Sequence, residues 1–521
     1  MNKLFVFIIF IAVFFLVSTL RLFQLTIVKG SYYRTLSENN RLREIIIEPE
    51  RGEILDRKGF SLVKNIPANT STLKKYLEKN NIEIIKSIRI YNLTEAGASL
   101  LGYQQIADRL DLKNDGCQHR LFFGEKVGKK GVEKLFDCNL RGIEGKMLVE
   151  VDAQEKFLRL VNLVPPKTGN SLKLSFDLEL QKKAYELIKD LQVKKAAVVA
   201  IKPKTGEVLA LVSTPSFNPQ AFEDADVKTI TEYFSDKNKP LFNRATEGVY
   251  PPGSLFKLVI ATAALEEGAI DEKTQIEDTG ILYAGSLTFG NWYYLQYGKT
   301  EGMVDIVKAI KRSNDIFFYK AGEKTGVEKI KKWAEIFGLG KITGVGLDEK
   351  EGLIPSPFWK EETVKDRWYL GDTYNLSIGQ GYVGVTPLQM TVMTSVFANG
   401  GYLCKPELLK VQSSKFKVQN CKKLSISDKT INLIREGMKE ACSTGGTGWP
   451  LFDFKVQTAC KTGTAETPDK TGQPHAWITV FAPYENPEIA LTVLVEEGGQ
   501  GSDVAGPISK ELLKTYFERS Q

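Results

Sequence analysis

The sequence predicts an α+β protein whose main domain is a five-stranded, mainly antiparallel sheet with helices packed on both faces. Two observations support this fold. Two pairs of β-rich apolar runs each surround a short turn, one pair at residues 196–213 and the other at residues 475–497. A long, mostly helical stretch separates the pairs, so the strands of one sheet come from distant parts of the chain.

Each element is predicted from its local composition. The runs AAVVAI and EVLALVS enclose the turn KPKTG, and the runs HAWITVFAP and EIALTVLVEE enclose a turn that contains Asn and Pro. These runs are apolar almost without interruption, which is typical of strands covered on both faces. The residues before Gly463 supply a fifth strand. Helices are predicted over the second part of Ser171–Leu191 and from about Val504 through Phe517.

The N-terminus carries an uncharged apolar segment, Leu4–Leu20, of 17 residues. As a helix it would be about 26 Å long, close to the thickness of a bilayer core. The segment is long for a cleaved signal peptide and no A-x-A site follows it, so we favour an uncleaved membrane anchor. The flanking charges, Lys3 on one side and Arg21 and Lys29 on the other, do not settle its orientation.

The length of 521 residues predicts two or three domains. We predict a cytoplasmic tip and transmembrane anchor over residues 1–25, a non-catalytic stalk over residues 26–168, and a domain that carries the sheet over residues 169–521. The stalk sequence is mixed and rich in charge, with short strand-like and helical pieces. The run Lys167-Thr168-Gly169 marks the predicted boundary.

The composition excludes several classes of function. The net charge of +7 comes from scattered Lys and Arg, which gives no support for nucleic-acid binding. The sequence holds two histidines, His119 and His475, and has no HExxH, no paired Cys-x-x-Cys and no GxSxG motif. A zinc hydrolase or a Ser-His-Asp enzyme is therefore not expected, and neither is a metal ion or another cofactor.

The spacing of the six cysteines suits no metal motif. Cys404 and Cys421 flank one short segment. A disulfide formed outside the cytoplasm and a pair of free, partly buried thiols fit this spacing equally.

The main chemical signal is the segment YPPGSLFK, Tyr250–Lys257. A helix is predicted to begin near Ser254 and to end at Gly268, and it is apolar nearly all round, which indicates burial. Lys257 is the exception, since an unpaired buried ammonium is strongly unfavourable. Ser254 lies three residues before it on the same helix face, and a desolvated lysine can accept a serine proton. Alone, however, the pair is better explained by a capping serine and a lysine that reaches solvent.

Two further motifs reverse that conclusion. S-N-D stands at Ser313, Asn314 and Asp315, and K-T-G-T stands at Lys461–Thr464. The series S-x-x-K, S-D-N and K-T-G, in this order, is the signature of penicillin-binding proteins and class A β-lactamases. Three matches in order and at domain-scale spacing are improbable by chance.

With these motifs the sequence resembles the class B penicillin-binding proteins, and within them the penicillin-binding protein 2 subgroup of cell elongation. The resemblance covers nearly the whole chain. It implies a penicillin-binding and serine β-lactamase-like transpeptidase fold for residues 169–521, carried on a pedestal or dimerisation-type stalk. Six segments carry it: RGEILDRKG (Arg51–Gly59), GVEKLFDCNLRGIEG (Gly131–Gly145), NRATEGVYPPGSLFK (Asn243–Lys257), SIGQGYVGVTPLQM (Ser377–Met390), CKTGTAE (Cys460–Glu466) and HAWITVFAPYENPEIALTVLVEEG (His475–Gly498).

The resemblance implies roles for the motif residues. Ser254 attacks the carbonyl of the D-Ala-D-Ala end of a stem peptide, and Lys257 is the general base. Ser313 and Lys461 complete the proton relay and contact the substrate. An amine of a second strand resolves the acyl-enzyme, and β-lactams acylate Ser254 as mimics of D-Ala-D-Ala.

The K-T-G-T strand is implied to bind the end of the substrate. Thr462 and Thr464 would bind its carboxylate, and Gly463 would allow close backbone approach. The backbone N–H groups of Ser254 and Thr464 would form the oxyanion hole.

Asp315 departs from the Asn that commonly ends the second motif in the superfamily, although Asp is familiar in the elongation subgroup. A carboxylate close to two lysines would tend to keep them charged. A substrate-binding role and a structural ion pair fit Asp315 equally.

Two other segments have weaker functional signals. Arg51, Gly52, Asp56 and Arg57 could form a partner or interdomain contact, but we favour a salt-bridged turn that holds the stalk. The loop Gly379–Gly381 is expected near the cleft, although turn geometry alone would explain its glycines.

The predicted function is a peptidoglycan D,D-transpeptidase of cell-wall elongation that acts through a Ser254 acyl-enzyme. The expected partners are D-Ala-D-Ala stem peptides, β-lactams, a SEDS-family membrane glycosyltransferase, elongation-complex proteins and the membrane. The catalytic domain is expected outside the cytoplasm. The alternatives are a septal transpeptidase, a β-lactamase, a D,D-carboxypeptidase, and a non-catalytic sensor or scaffold that binds β-lactams.

Overall fold

The computed structural model describes residues 3–67, 87–118, 121, 123–152, 154, 156–410, 420–467 and 472–518. Its helices are α1 (Lys3–Phe23), α2 (Gly30–Arg41), α3 (Thr94–Leu101), α4 (Arg109–Asn114), α5 (Gly131–Leu135), α6 (Asp137–Leu140), α7 (Leu178–Asp190), α8 (Gln220–Glu223), α9 (Val227–Ser235), α10 (Lys257–Glu266), α11 (Trp292–Tyr297), α12 (Ile306–Arg312), α13 (Asp315–Thr325), α14 (Val327–Ile336), α15 (Pro357–Val364), α16 (Leu370–Ser377), α17 (Pro387–Ala398), α18 (Asp428–Ala441) and α19 (Gly506–Glu518).

The strands are β1 (Leu42–Ile47), β2 (Ile54–Leu55), β3 (Ser61–Pro67), β4 (Ser87–Tyr91), β5 (Tyr103–Ile106), β6 (Lys126–Lys130), β7 (Gly145–Val151), β8 (Phe157–Val164), β9 (Leu172–Lys173), β10 (Ala196–Ile201), β11 (Val208–Thr214), β12 (Ile276–Asp278), β13 (Ile281–Ala284), β14 (Leu287–Gly290), β15 (Gly302–Val304), β16 (Tyr402–Cys404), β17 (Cys421–Lys423), β18 (Ala459–Ala465), β19 (His475–Ala482) and β20 (Ile489–Val495). Tighter 3₁₀ turns cover Gly253–Phe256 and Trp449–Leu451, and π-helical turns cover Gln24–Val28 and Gly501–Ala505.

The chain divides into two compact units. The first holds the described residues of Met1–Gly52, Asn65–Ile88 and Asn139–Asn170, and the second holds those of Glu53–Lys64, Arg89–Cys138 and Ser171–Gln521.

The first unit combines the N-terminal helix with a three-stranded antiparallel sheet in the order β1-β7-β8. Ile47, Met147, Val149 and Val151 form its small buried core. The helical segment Lys3–Val28 has a mean hydropathy of 2.7, and none of the apolar stretch is buried. By length and composition it can cross a membrane, which agrees with the anchor predicted from the sequence.

The second unit is built on a five-stranded sheet in the order β11-β10-β20-β19-β18. All four pairings are antiparallel, so the predicted sheet is confirmed, and it is antiparallel throughout rather than mainly so. The two predicted hairpins join through β10 and β20, where Val198 lies opposite Val493. The K-T-G-T strand β18 is an edge of the sheet and pairs with β19.

Helices cover both faces of this sheet, as predicted. On one face, α7 and α19 bury Leu180 and Ala184, and Ile508 and Leu512, against the strands. On the other face lies α17, all twelve residues of which are buried. The polar side chains of α17 are hydrogen-bonded within the protein, through Gln389 Nε2 to the Lys341 carbonyl and the Thr and Ser hydroxyls to carbonyls of the helix itself, so the helix can be buried on all sides. The sheet is thus held rigidly between two layers.

The six cysteines form three disulfides, Cys117–Cys138, Cys404–Cys421 and Cys442–Cys460. Cys404 and Cys421 lie opposite each other on β16 and β17. Of the two alternatives for this pair, the structure therefore has the disulfide and not the free thiols. The spacing in the sequence did not indicate the other two pairs, since spacing alone does not fix disulfide connectivity.

Candidate active site

Ser254 lies in a tight turn that leads into a buried helix. Gly253–Phe256 forms a 3₁₀ turn, and α10 begins at Lys257. Helical structure therefore begins at Gly253, as predicted near Ser254, but the first turn is a 3₁₀ turn and the α-helix itself begins three residues after Ser254. The reason is local: two prolines restrict the chain before the turn, and Gly253 has a φ of +54°, so the first turn closes with the tighter i→i+3 pattern.

A neighbouring loop supports this turn. The N–H of Gly253 donates to the Gly379 carbonyl at 2.9 Å. Gly379 has a φ of +73°, and a Cβ atom there would lie 2.1 Å from the Gly253 carbonyl oxygen. Nε2 of Gln380 donates to the Thr464 carbonyl at 3.4 Å. The glycine loop that the sequence places near a cleft thus contacts both the first-motif turn and the K-T-G-T strand.

Lys257 is fully buried and its ammonium group is saturated with acceptors. Nζ donates to the Ser313 carbonyl at 2.7 Å, to Ser313 Oγ at 3.2 Å and to Asp315 Oδ1 at 2.6 Å. Three acceptors match the three donors of a lysine, which explains how an apolar helix can hold this charge. Ser254, which is partly exposed, is not among the hydrogen-bond partners of Lys257 in the described residues.

The second motif joins two helices by a strained residue. Ser313 follows α12 with a φ of +52°, a left-handed conformation that is uncommon outside glycine and concentrates at functional sites. Asn314 then caps α13 by accepting the Phe317 N–H at 2.9 Å. The second carboxylate oxygen of Asp315 accepts the Trp292 N–H at 2.8 Å. Asp315 therefore forms the predicted ion pair, and its contact with substrate stays a prediction.

Lys461 reaches the same hydroxyl from the other side. It lies on the edge strand β18 and is fully buried. Its Nζ donates to Ser313 Oγ at 2.8 Å and to the Thr462 carbonyl at 2.9 Å. The Ser313 hydroxyl is thus shared by the two lysine Nζ atoms, and the three motifs meet at this atom.

The charges of this cluster do not balance if both lysines are protonated, because Asp315, which pairs with Lys257, supplies a single negative charge. Burial lowers the pKa of Lys257, and the nearby Asp315 charge opposes this effect. Burial and the charge of Lys257 hold the pKa of Lys461 well below its usual value. A resting state in which one lysine is protonated and the other is neutral agrees with the lowered pKa of both lysines.

The rest of the K-T-G-T strand lies against the first motif. Side chains alternate along a strand, so Thr462 and Thr464 project to one side and Lys461 to the other. Thr462 Oγ1 donates to Thr447 Oγ1 at 2.8 Å. A Cβ atom on Gly463 would lie 2.5 Å from Leu255 Cδ1, so the strand can approach the buried turn this closely only with glycine.

Other candidate residues lie apart from this cluster. The His475 ring stacks edge-on against Tyr250, and its Nδ1 accepts the Glu497 N–H at 3.1 Å. His475 is therefore held at the start of β19, and burial lowers its pKa. His119 lies outside the described residues.

The turn near Asp56 is organised by its own side chain. Asp56 Oδ1 accepts the N–H groups of Lys58 and Phe60, each at 2.8 Å. The N–H of Arg57 donates to the Phe176 carbonyl at 3.0 Å. These bonds place Asp56 and Arg57 in a local turn, whereas the salt bridge and the hold on the stalk stay predictions.

A protein-family model described as the penicillin binding protein transpeptidase domain matches residues 196–514. The chain belongs to the penicillin-binding protein transpeptidase family. The penicillin-binding protein dimerisation domain also matches, at residues 82–174. The family and the fold class predicted from the motifs are both confirmed.

Known penicillin-binding proteins resemble this one over most of their length. The peptidoglycan D,D-transpeptidase MrdA of Haemophilus influenzae is 31% identical, over 96% of this chain and 89% of the relative. PBP2 of Helicobacter pylori, solved as a complex with MreC, has a TM-score of 0.77 and 29% identity over 92% of this chain and 99% of its own. A chain of a peptidoglycan synthase complex that coordinates polymerization and crosslinking has a TM-score of 0.78 and 29% identity over 99% of this chain and 98% of its own.

The sequence did not single out several residues that support the motifs of this penicillin-binding protein. Thr447 contacts the K-T-G-T strand from a loop, and Asp278 and Asn291 lie behind the second motif. Polar residues in loops are common, so none of them carries a signal in one sequence. Gln380, which donates to the Thr464 carbonyl, differs from them because the glycines on either side of it predict a loop near the cleft.

Proposed function

We propose that this protein is a serine D,D-transpeptidase that cross-links peptidoglycan stem peptides during cell-wall elongation and is inhibited by β-lactams. One observation carries the proposal: in a chain of this family, the Ser313 hydroxyl is shared by two buried lysines, Lys257 and Lys461, next to the turn that presents Ser254. This is an arrangement that can take up a proton without histidine.

The acylation step begins with a proton transfer between the two lysines. Lys257 passes a proton through the Ser313 hydroxyl to neutral Lys461, along contacts of 3.2 and 2.8 Å. Neutral Lys257 then accepts the Ser254 proton while Ser254 Oγ bonds to the carbonyl carbon of the penultimate D-Ala. The C–N bond to the terminal D-Ala breaks, and the proton goes to the departing amine. An ester of Ser254 and a free D-Ala result.

The second half of the reaction reverses these roles. An amine of a second stem peptide attacks the ester carbonyl and loses a proton to Lys257. The C–O bond to Ser254 breaks, and the proton returns to Ser254 Oγ. The product is a peptide cross-link, and the enzyme is regenerated without a cofactor.

Substrate binding is assigned to the edge strand β18. An edge strand leaves alternate backbone N–H groups free for an extended peptide. Thr462 and Thr464 bind the terminal carboxylate, and the N–H groups of Ser254 and Thr464 hold the oxyanion. Gly463 and Gly253 support this role, because side chains at either position would push the turn and the strand apart.

We assign residues 1–25 to the cytoplasmic tip and membrane anchor, residues 26–168 to the stalk, and residues 169–521 to the transpeptidase domain. The transpeptidase domain lies outside the cytoplasm. Three disulfides support this orientation, because disulfides persist in oxidising compartments. The proposed reaction joins strands of the cell wall, which lies outside the membrane, and so requires the same side.

The partner proposed for the anchor and stalk is a SEDS-family membrane glycosyltransferase, within an elongation complex. Two of the similar structures support the proposal, since one is a complex with MreC and the other a synthase complex that polymerises and cross-links. The span between the anchor and residue 169 is shorter than the roughly two hundred residues of a glycosyltransferase domain, and it holds the RGEILDRKG stalk pattern instead.

The test uses purified full-length protein in detergent with lipid II, with and without a SEDS polymerase, and with Ser254→Ala as the control. We expect no glycan from the protein alone, and cross-linked dimeric muropeptides when the polymerase is added. The Ser254→Ala variant should give uncross-linked glycan only. Glycan made by the protein alone, or D-Ala release without dimers in the complete mixture, would count against the proposal.

A further inference from the structure

A buried carboxylate lies behind the second motif without touching the lysines. Asp278, the last residue of β12, is 3% exposed. Its Oδ2 accepts three donors: Asn291 Nδ2 at 2.7 Å, Asn314 Nδ2 at 2.9 Å and the Glu301 N–H at 2.9 Å. Its Oδ1 accepts the Gly280 N–H at 2.9 Å. Four donors on one buried carboxylate form a fully satisfied network.

Asp278 determines which way two amide side chains point. An ionised carboxylate can only accept, so the NH₂ ends of Asn291 and Asn314 must face it. Their oxygens are then aimed in the opposite direction, toward the motif. Asn314 Oδ1 accepts the Phe317 N–H at 2.9 Å and caps α13. Asn291 Oδ1 accepts the Asp315 N–H at 3.1 Å.

The hydrogen bond from Asn291 to Asp315 connects Asp278 to the lysine pair. Asp315 is held from its backbone by Asn291 and from its side chain by the Trp292 N–H at 2.8 Å. Its other oxygen lies 2.6 Å from Lys257 Nζ. An unbroken series of hydrogen bonds thus runs from Asp278 through Asn291 and Asp315 to Lys257.

We propose that Asp278 is a positioning residue for acylation, which fixes the Asp315 carboxylate and, through it, the reactive position of Lys257. The proposal rests on the proposed function of Lys257 as the base. Asp278 makes no contact with Lys257 or Lys461, so it acts through Asn291 and Asn314. Its effect falls on the acylation step and leaves the binding strand β18 unchanged.

The test is Asp278→Asn in the full-length protein, which keeps the shape but has one acceptor oxygen in place of two, so its NH₂ must face either the Gly280 N–H or the NH₂ groups of the two asparagines. The matched control is Glu277→Gln, because Glu277 is an exposed carboxylate on the same strand. Labelled penicillin is mixed rapidly with each protein, and the rate is followed over penicillin concentration to separate the initial dissociation constant from the acylation rate constant.

For Asp278→Asn we expect an acylation rate constant lower by about tenfold or more, because small displacements of reacting groups cost this much. The dissociation constant should stay within about twofold of the wild-type value, since β18 is untouched. Glu277→Gln should match the wild type in both. If the role of Asp278 is merely structural, Asp278→Asn lowers the melting temperature or changes the dissociation constant and the acylation rate constant together. Either result, without a selective loss of the acylation rate constant, would overturn the proposal.

A second variant covers the case in which Asp278→Asn does not fold. Asn291→Ser breaks the same series of hydrogen bonds but leaves Asp278 bonded to Asn314, Glu301 and Gly280. It should show the same selective loss of acylation rate, and combined with Asp278→Asn it should add little further loss. A wild-type rate in either folded variant would refute the positioning role. Failure of the proposed function is recognised separately, because Ser254→Ala would then still be acylated.

Discussion

Lys257 shows how far single residues can be understood from the sequence. Its place in an otherwise apolar helix predicts a buried ammonium that needs partners, and the structure supplies Ser313 and Asp315. The concern that Asp315 would keep a lysine charged is also supported, because the contact is 2.6 Å long. The sequence could not show that Lys461 shares the same hydroxyl, since that depends on how β18 meets the loop after α12.

The Lys257→Arg variant tests the lysine as a base. Arginine keeps the positive charge and the pairing with Asp315 but cannot lose its proton in a protein. We expect penicillin acylation to fall by about 10²- to 10⁴-fold, the range of general-base catalysis, with the melting temperature little changed. Acylation close to the wild-type rate in the folded variant would show that Lys257 acts only as a fixed charge.

The Asp315→Asn variant tests the electrostatics of the cluster. Asp315 and Lys461 are the charged groups that face Lys257, and the Asp315 charge raises the pKa of both lysines. Without that charge both pKa values fall, so a neutral lysine persists to lower pH. In a plot of the acylation rate constant against pH, the rise on the acid side should therefore move to lower pH, even if the maximum rate constant also changes. A rise that stays in place or moves to higher pH would contradict this account.

At the level of elements, the sheet was the most predictable part. Near-continuous apolar runs predicted four of the five strands, because a strand covered on both faces is mostly apolar, and the fifth was expected just before Gly463. The start of helical structure near Ser254 was also predictable, but its 3₁₀ first turn was not, since propensity does not separate a 3₁₀ turn from an α-helix. The contact between the Gly379 loop and the Gly253 turn was not predictable, because it joins segments more than a hundred residues apart.

The Gly379→Ala variant tests that contact. A Cβ atom at Gly379 would lie 2.1 Å from the Gly253 carbonyl oxygen, so the turn that carries Ser254 must move. We expect the acylation rate constant to fall by about tenfold or more. Gly400→Ala is the control, because Gly400 also has a positive φ, of +80°, but open space around its Cβ position. Equal acylation rates in the two variants would mean that the loop does not fix the turn.

At the scale of the whole molecule, the order of the three motifs mattered more than any one of them. S-x-x-K alone was better explained as a cap and a surface lysine, and only the later S-N-D and K-T-G-T segments changed that conclusion. The structure gives the physical reason. Ser254 lies in the turn before α10, Ser313 follows α12, and Lys461 lies on an edge strand. Only the complete fold brings these elements together.

The central claim is that Ser254 is the acylated nucleophile of a penicillin-binding transpeptidase. The most direct measurement is mass spectrometry of the full-length protein after exposure to labelled penicillin, with Ser254→Ala beside it. We expect one penicillin per chain, located on the peptide that contains Ser254, an adduct that outlasts the incubation, and no label on Ser254→Ala. A label on another residue, a labelled Ser254→Ala variant, or rapid release of hydrolysed penicillin from Ser254 would contradict the account.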